Sequence, residues 1–219
     1  MNKISYFNVI GPVMIGPSSS HTAGAVRIGR AARAIVGDGF NEVKFRLYGS
    51  FAKTYRGHGT DRALVAGVLN YRSDDERIKT AFNEADKAGL KFSFEEVHLV
   101  NAHPNTVIVE FTFPDGSIRS VRGVSTGGGQ IEIVRIDKQE VRILPGDPSL
   151  ILQYSDRRGV ISKVTTVLAD HDYNIEEITN NREDGLVTLV IIVDRKIDKS
   201  IFEEVCATGE YSHISYVYF

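Results

Sequence analysis

The sequence predicts an α+β protein, with an N-terminal domain of mixed helices and antiparallel strands followed by a ferredoxin-like βαββαβ domain. Three observations carry that expectation. Apolar residues recur at helical spacing in much of the chain up to about residue 88, and from residue 91 they alternate with polar ones as half-buried strands do. Pro145-Gly146-Asp147-Pro148 places two prolines and a glycine within four residues, the best boundary signal in the chain. Beyond it, about 70 residues run strand, helix, strand, strand, helix, strand. The expected domains are therefore 1–145 and 149–219.

In chain order, residues 8–16 form an apolar, glycine-punctuated loop. Residues 22–36 hold Ala23, Ala25, Val26, Ile28, Ala31, Ala32, Ala34 and Ile35 without a proline, which predicts a helix stopped by Gly37-Asp38-Gly39. Residues 43–48 alternate as a strand, and 49–60 form a long glycine-bearing loop. Helices are expected over 61–71 and 75–88, the second closed by Gly89. Strands follow over 92–97, 106–113, 118–124, 131–136 and 141–144, with Pro114-Asp115-Gly116-Ser117 as a hairpin turn. In the second domain, strand 149–154 leads through Asp156-Arg157-Arg158-Gly159 into helix 160–170. Strands 175–181 and 186–193 flank Arg182-Glu183-Asp184-Gly185, and a short helix over 200–207 precedes strand 214–219.

Composition narrows the function classes. A chain of 219 residues fits one large or two small domains, and 42% hydrophobic with 25% charged residues is ordinary for a soluble globular protein. A net charge of −2 gives no reason to expect nucleic acid or an anionic membrane as partner. No apolar run approaches the roughly 20 residues needed to span a bilayer. Met1-Asn2-Lys3-Ile4-Ser5-Tyr6 lacks a signal-peptide core, so a cytoplasmic location is expected. Cys206 is the only cysteine, which excludes an internal disulfide and any cysteine-based zinc or iron–sulfur site built from this chain alone. The six histidines include no close pair at helical metal spacing, so no intrinsic metal site is expected.

The chemistry concentrates in Ser18-Ser19-Ser20-His21-Thr22-Ala23-Gly24. Hydroxyls ahead of a helix act as N-caps, and free N–H groups with the helix dipole make an anion site. His21 adds a side chain that titrates near neutral pH. Two readings follow: a carboxylate cradle with a proton-transfer group beside it, or a polar N-cap cluster with a surface histidine. His58, between two glycines, reads as a second acid/base group, an anion contact or a solvated loop residue. Lys53 and Arg56 are either carboxylate partners or solvated. Arg27, Arg30 and Arg33 share a helix stripe, with Arg27 nearest the cluster and suited to bind a carboxylate bidentately. His103-Pro104-Asn105 reads as a strand-entry turn, with His103 a minor candidate. Gly127-Gly128-Gly129 lacks the lysine of a phosphate loop and reads as a β-turn or bulge.

Gly159-Val160-Ile161-Ser162-Lys163-Val164-Thr165 after a strand, then Asn174-Ile175 entering another, resembles an ACT domain. That resemblance implies an amino-acid-like effector bound where the first loop meets a neighbouring copy, with Gly159, Val160, Asn174 and Ile175 as contacts. The alternative is a module that only dimerises. The N-terminal part resembles the β chain of iron–sulfur-dependent bacterial L-serine dehydratases. The resemblance rests on Gly11-Pro12, Gly16-Pro17-Ser18-Ser19-Ser20-His21-Thr22-Ala23-Gly24, Arg27-Ile28-Gly29, Gly49-Ser50-Phe51-Ala52-Lys53-Thr54, Gly57-His58-Gly59-Thr60-Asp61 and His103-Pro104-Asn105-Thr106.

This second resemblance implies conversion of L-serine to pyruvate and ammonia, in serine catabolism and gluconeogenesis, by a heterodimer. Its α subunit would carry a [4Fe-4S] cluster whose open iron acts on the leaving hydroxyl. His21, Ser20 and Thr22 are then the expected catalytic residues, and Ser18, Ser19, Arg27, Lys53, His58 and Thr60 the expected substrate contacts. Self-association through the ACT domain is also expected. The competing reading is a purely regulatory amino-acid- or anion-binding subunit, related to modules found in some 3-phosphoglycerate dehydrogenases.

Overall fold

A computed structural model describes residues 13–218, and the chain divides into two compact units between Asp137 and Lys138. Gly11-Pro12, most of the loop expected at 8–16, and Phe219 lie outside the described residues.

The first unit opens with a π-helical turn, Ser19–Ala23, that runs into α1 (Gly24–Val36). β1 (Glu42–Gly49), α2 (Ser50–Thr54) and α3 (Thr60–Val68) follow. A 3-10 turn at Glu76–Thr80 leads into α4 (Ala81–Lys87). Then come β2 (Lys91–Glu96), β3 (Asn105–Thr112), β4 (Ile118–Gly127) and β5 (Gln130–Ile136). In the sheet these strands lie in the order β2-β1-β3-β4-β5. β2 runs parallel to β1, and the remaining pairs are antiparallel.

Alternation does what the period-2 pattern demands: Val43, Phe45 and Leu47 of β1 are buried beside Val107, Val109 and Phe111 of β3. α1 covers this apolar side of the sheet, and α3 packs in turn on α1. Buried Ala25, Val26, Ile28, Ala31, Ala32 and Ile35 follow from α1 being covered on both sides. The two helices meet backbone to backbone. A Cβ on Gly67 would lie 2.3 Å from the Val26 carbonyl oxygen, and one on Gly29 would lie 2.7 Å from that of Leu64.

Two expectations differ from the fold. Within the loop expected over 49–60 the structure has α2, because Gly49 turns the chain out of β1 at φ 63 and the Pro104 carbonyl then accepts the Ser50 N–H at 2.8 Å. A Cβ on Gly49 would stand 2.6 Å from that oxygen, so the glycine permits the close approach at which the helix starts. The helix expected over 75–88 begins as a 3-10 turn, with the Asp75 side chain accepting the Arg77 N–H, and becomes α-helical only at Ala81. Gly127, Gly128 and Gly129 all have positive φ and turn β4 into β5.

The second unit comprises β6 (Gln139–Ile143), β7 (Ser149–Ser155), α5 (Val160–Asp170), β8 (Ile175–Glu183), β9 (Leu186–Val193), α6 (Lys199–Ala207) and β10 (His213–Val217). Its four-stranded antiparallel sheet has the order β10-β7-β9-β8. Leu150, Leu152, Tyr154, Val187, Leu189 and Ile191 form the core with Val164 and Leu168 of α5 and Val205 of α6. This is the ferredoxin-like βαββαβ arrangement.

Gly67→Ala has no room for its methyl group at the α1–α3 crossing. It should lower the free energy of unfolding by about 1–3 kcal/mol, read by urea denaturation. A variant as stable as the parent would show that the crossing is looser than this contact implies.

Candidate active site

The site is built on the start of α1. Ser18 is extended, and its Oγ accepts the His21 N–H at 3.2 Å while its carbonyl accepts the Thr22 N–H at 2.8 Å. The turn is wide, the Gly24 N–H reaching back to the Ser19 carbonyl. Fully buried Ser125 of β4 donates its hydroxyl to the Ser20 carbonyl at 2.9 Å. A Cβ on Gly24 would come within 2.3 Å of that hydroxyl oxygen, so Gly24 lets the turn rest on the sheet.

This local geometry drives His21 inward, leaving it 9% exposed. Its Nδ1 is 3.0 Å from Ser20 Oγ and 3.4 Å from Ser18 Oγ, while Nε2 is 3.1 Å from Ser50 Oγ. Phe51 and His58 meet its ring edge-on, with centroids at 5.3 and 4.9 Å. Burial lowers the His21 pKa, and the neighbouring His58 lowers it further. The neutral imidazole is thereby favoured: one ring nitrogen donates to a hydroxyl and the other keeps a lone pair. Thr22 donates its hydroxyl to the His58 carbonyl at 3.2 Å, which joins the loop before α3 to the start of α1.

Ser18, Ser20, His21, Thr22 and His58 are thus brought together. Ser50 belongs with them and was not among the expected site residues. It stands 29 positions from His21, and the only signal for it was its place in the Gly49-Ser50 stretch. Ser19 contributes its carbonyl to the turn. Arg27 donates from one terminal guanidinium nitrogen to the Gly129 carbonyl at 2.7 Å. Arg30 bonds Asn70, and Arg33 bonds Asp38 and the Val68 carbonyl. Lys53 is exposed, whereas Thr60 is fully buried with its N–H on the Tyr55 carbonyl. His103 accepts the Asn105 N–H at a strand-entry turn.

Next to His58 and Thr22 lies a cleft of about 190 Å³ whose walls also include Arg56, Arg62 and Lys79. Among the described residues, no group of three or more His, Cys, Asp or Glu side chains could hold a metal ion. In the second unit, Gly159 and Val160 lie at the N-terminal end of α5, and Asn174 and Ile175 follow its C-terminal end. Eleven helical residues span about 16 Å, so one copy does not bring the four together.

The fold and the site define an α+β unit carrying a histidine clamped between serine hydroxyls, followed in the chain by a ferredoxin-like unit. Residues 5–135 match the family described as serine dehydratase beta chain, and residues 149–210 match the ACT domain. The chain is 42% identical over 220 residues to the L-serine dehydratase beta chain of Peptoniphilus asaccharolyticus, covering 99% of each. To a probable L-serine dehydratase beta chain of Bacillus subtilis it is 42% identical over 206 residues, 93% of each. A D-3-phosphoglycerate dehydrogenase of Bacillus subtilis is 25% identical over 82% of this chain and 34% of that protein. The chain belongs to the serine dehydratase beta chain family and carries a C-terminal ACT domain.

The His21 environment sets a pH dependence. Its imidazole should titrate by NMR below 6.5, and His58→Gln should raise the midpoint only part of the way, because burial is the larger cause. Between the lowered value and pH 6.5 the unfolded chain binds the extra proton, so stability falls as the pH drops through that window. A midpoint at or above 6.5 would contradict the buried, hydroxyl-bonded geometry.

Proposed function

We propose that this chain is the β subunit of an L-serine dehydratase, an L-serine ammonia-lyase that acts only together with an α subunit. The observation that carries this reading is His21: a buried imidazole held neutral, with a hydroxyl at each ring nitrogen. Relatives bearing that name at 42% identity over nearly the whole chain support it.

The cofactor expected of such an enzyme, a [4Fe-4S] cluster, does not fit this chain's residues. Its single cysteine, Cys206, is partly buried and its thiol pKa is pushed up by burial, which disfavours the thiolate a cluster needs. We therefore assign the cluster to the α subunit.

The reaction removes the α-proton of L-serine and expels the β-hydroxyl as water; the aminoacrylate then takes up water to give pyruvate and ammonia. His21 is the base. Ser20, accepting from Nδ1–H, fixes the tautomer that leaves the lone pair at Nε2, beside Ser50 and His58. The substrate displaces the Ser50 hydroxyl from Nε2 on binding. Ser18 and Thr22 hold the start of α1 and the His58 loop in register, so that the proton moves over a fixed path. In the second unit, an amino-acid-like effector is held between two associated copies, by Gly159 and Val160 of one and Asn174 and Ile175 of the other. Their placement at opposite ends of α5 supports this division.

The likeness to a D-3-phosphoglycerate dehydrogenase favours a second reading, a regulatory subunit that binds an anion without chemistry. A regulatory pocket has no need of an imidazole kept neutral for proton transfer, which is why catalysis is preferred.

Mixed with the α subunit, the chain should generate pyruvate in a serine-dependent manner. His21→Ala should lower turnover by about 10²–10⁴-fold while the cluster's visible absorption stays unchanged. Turnover near the parent's in that variant would remove His21 as the base. A chain that restores no activity yet binds serine would favour the regulatory reading.

A further inference from the structure

The cleft next to His58 and Thr22 has an uneven charge distribution. Arg56, Arg62 and Lys79 line it together with His58 and Thr22, and among the described residues no carboxylate lines it. Asp61, the acid next to Arg62, turns back instead to accept the Arg62 backbone N–H at 2.8 Å. Arg62 sits in the first turn of α3, its guanidinium 5.9 Å above the Phe82 ring, so the charged group is carried on a fixed backbone over an aromatic floor. Lys79 is paired with Glu76, and Arg56 lies over the Tyr55 ring. Of the three cations, Arg62 therefore combines a helix-anchored backbone with a planar fork suited to a carboxylate.

Position adds to charge. His58 and Thr22 are walls of the cleft and also neighbours of His21, one through its ring and the other through the chain. In an α-amino acid, the carboxylate is bonded to the carbon that loses the proton. A carboxylate site must therefore lie close to the base, and this cleft shares with His21 the neighbouring His58 and Thr22. Removal of that proton builds negative charge onto the carboxylate, and fixed cations around it stabilise the charge as it develops.

We propose that this cleft is the carboxylate-binding site for the substrate, with Arg62 as its anchoring, specificity-determining residue and Arg56 and Lys79 as supporting charges. This rests on the dehydratase reading above. Ser18, Ser20 and Thr22 are then left to orient the imidazoles, the role their hydrogen bonds already serve.

The test uses the complex of this chain with its α subunit and two competitive probes: 3-hydroxypropionate, which has a carboxylate, and serinol, which replaces it with a neutral hydroxymethyl group. Arg62→Gln should lower kcat/KM for L-serine by about 10- to 100-fold and weaken inhibition by 3-hydroxypropionate by a similar factor, as loss of a charged hydrogen bond does. Inhibition by serinol should stay as in the parent, and Arg62→Lys should recover part of both losses. Equal weakening of both probes, or loss of the α subunit from the purified complex, would overturn the proposal in favour of a role in folding or assembly. Unchanged kinetics would also overturn it, and a collapse in His21→Ala would still leave the base assignment standing. If His21→Ala retains turnover while Arg62→Gln selectively weakens the carboxylate probe, the cleft stands and the base assignment falls.

Discussion

The crossing of α1 and α3 at Gly29 and Gly67 is the contact on which the site depends. Two residues without side chains let the helix backbones touch, with no space for a methyl group on either. That approach brings the starts of both helices together, so Thr22 reaches the His58 carbonyl at one end while Arg33 reaches the Val68 carbonyl at the other. A wider crossing would separate His21 from His58 and open the chain of hydrogen bonds between them. Close helix packing, together with the Thr22 bond to the His58 carbonyl, accompanies the 4.9 Å separation of the two imidazoles.

Within that frame the polar groups are arranged to keep one imidazole neutral. A buried histidine pays for its charge with lost solvation, and a second imidazole nearby opposes protonation further. Hydroxyls suit this environment because each can donate to a lone pair or accept from an N–H. A carboxylate in place of Ser50 would stabilise the imidazolium and work against a free base. The serine-rich stretch thus serves the histidine before it serves any ligand. The cationic residues Arg56, Arg62 and Lys79 stand outside that shell, along the adjoining cleft.

Much of this architecture was legible in residue order. Alternation in 106–113 and 131–136 marked β3 and β5 because one face of each strand is buried, and burial writes a period of two. The ferredoxin-like order of the second unit followed from strand and helix patterns in the same way. α2 was not legible, since Gly49 and the glycines at 57 and 59 read as loop while its start depends on the carbonyl of Pro104, more than fifty residues away. The bond from the Arg27 guanidinium to a carbonyl of the Gly127-Gly128-Gly129 turn, about a hundred residues away, left no mark in the sequence either. Ser50 carried no local mark of its own.

By itself the sequence determined the fold class, most of the element types, the family resemblance and the hydroxyl-and-histidine stretch from Ser18 to Thr22 as the candidate site. Periodicity and signature residues are local properties, and local properties survive in one dimension. Only the tertiary structure decided which hydroxyls face His21, that Ser50 joins them, and that a cationic cleft lies against His58. Those facts depend on how closely α1, α2 and α3 approach, and that distance is set by which backbones have no side chain between them. A one-dimensional pattern shows that a residue is glycine, and the packing shows what the missing side chain lets in.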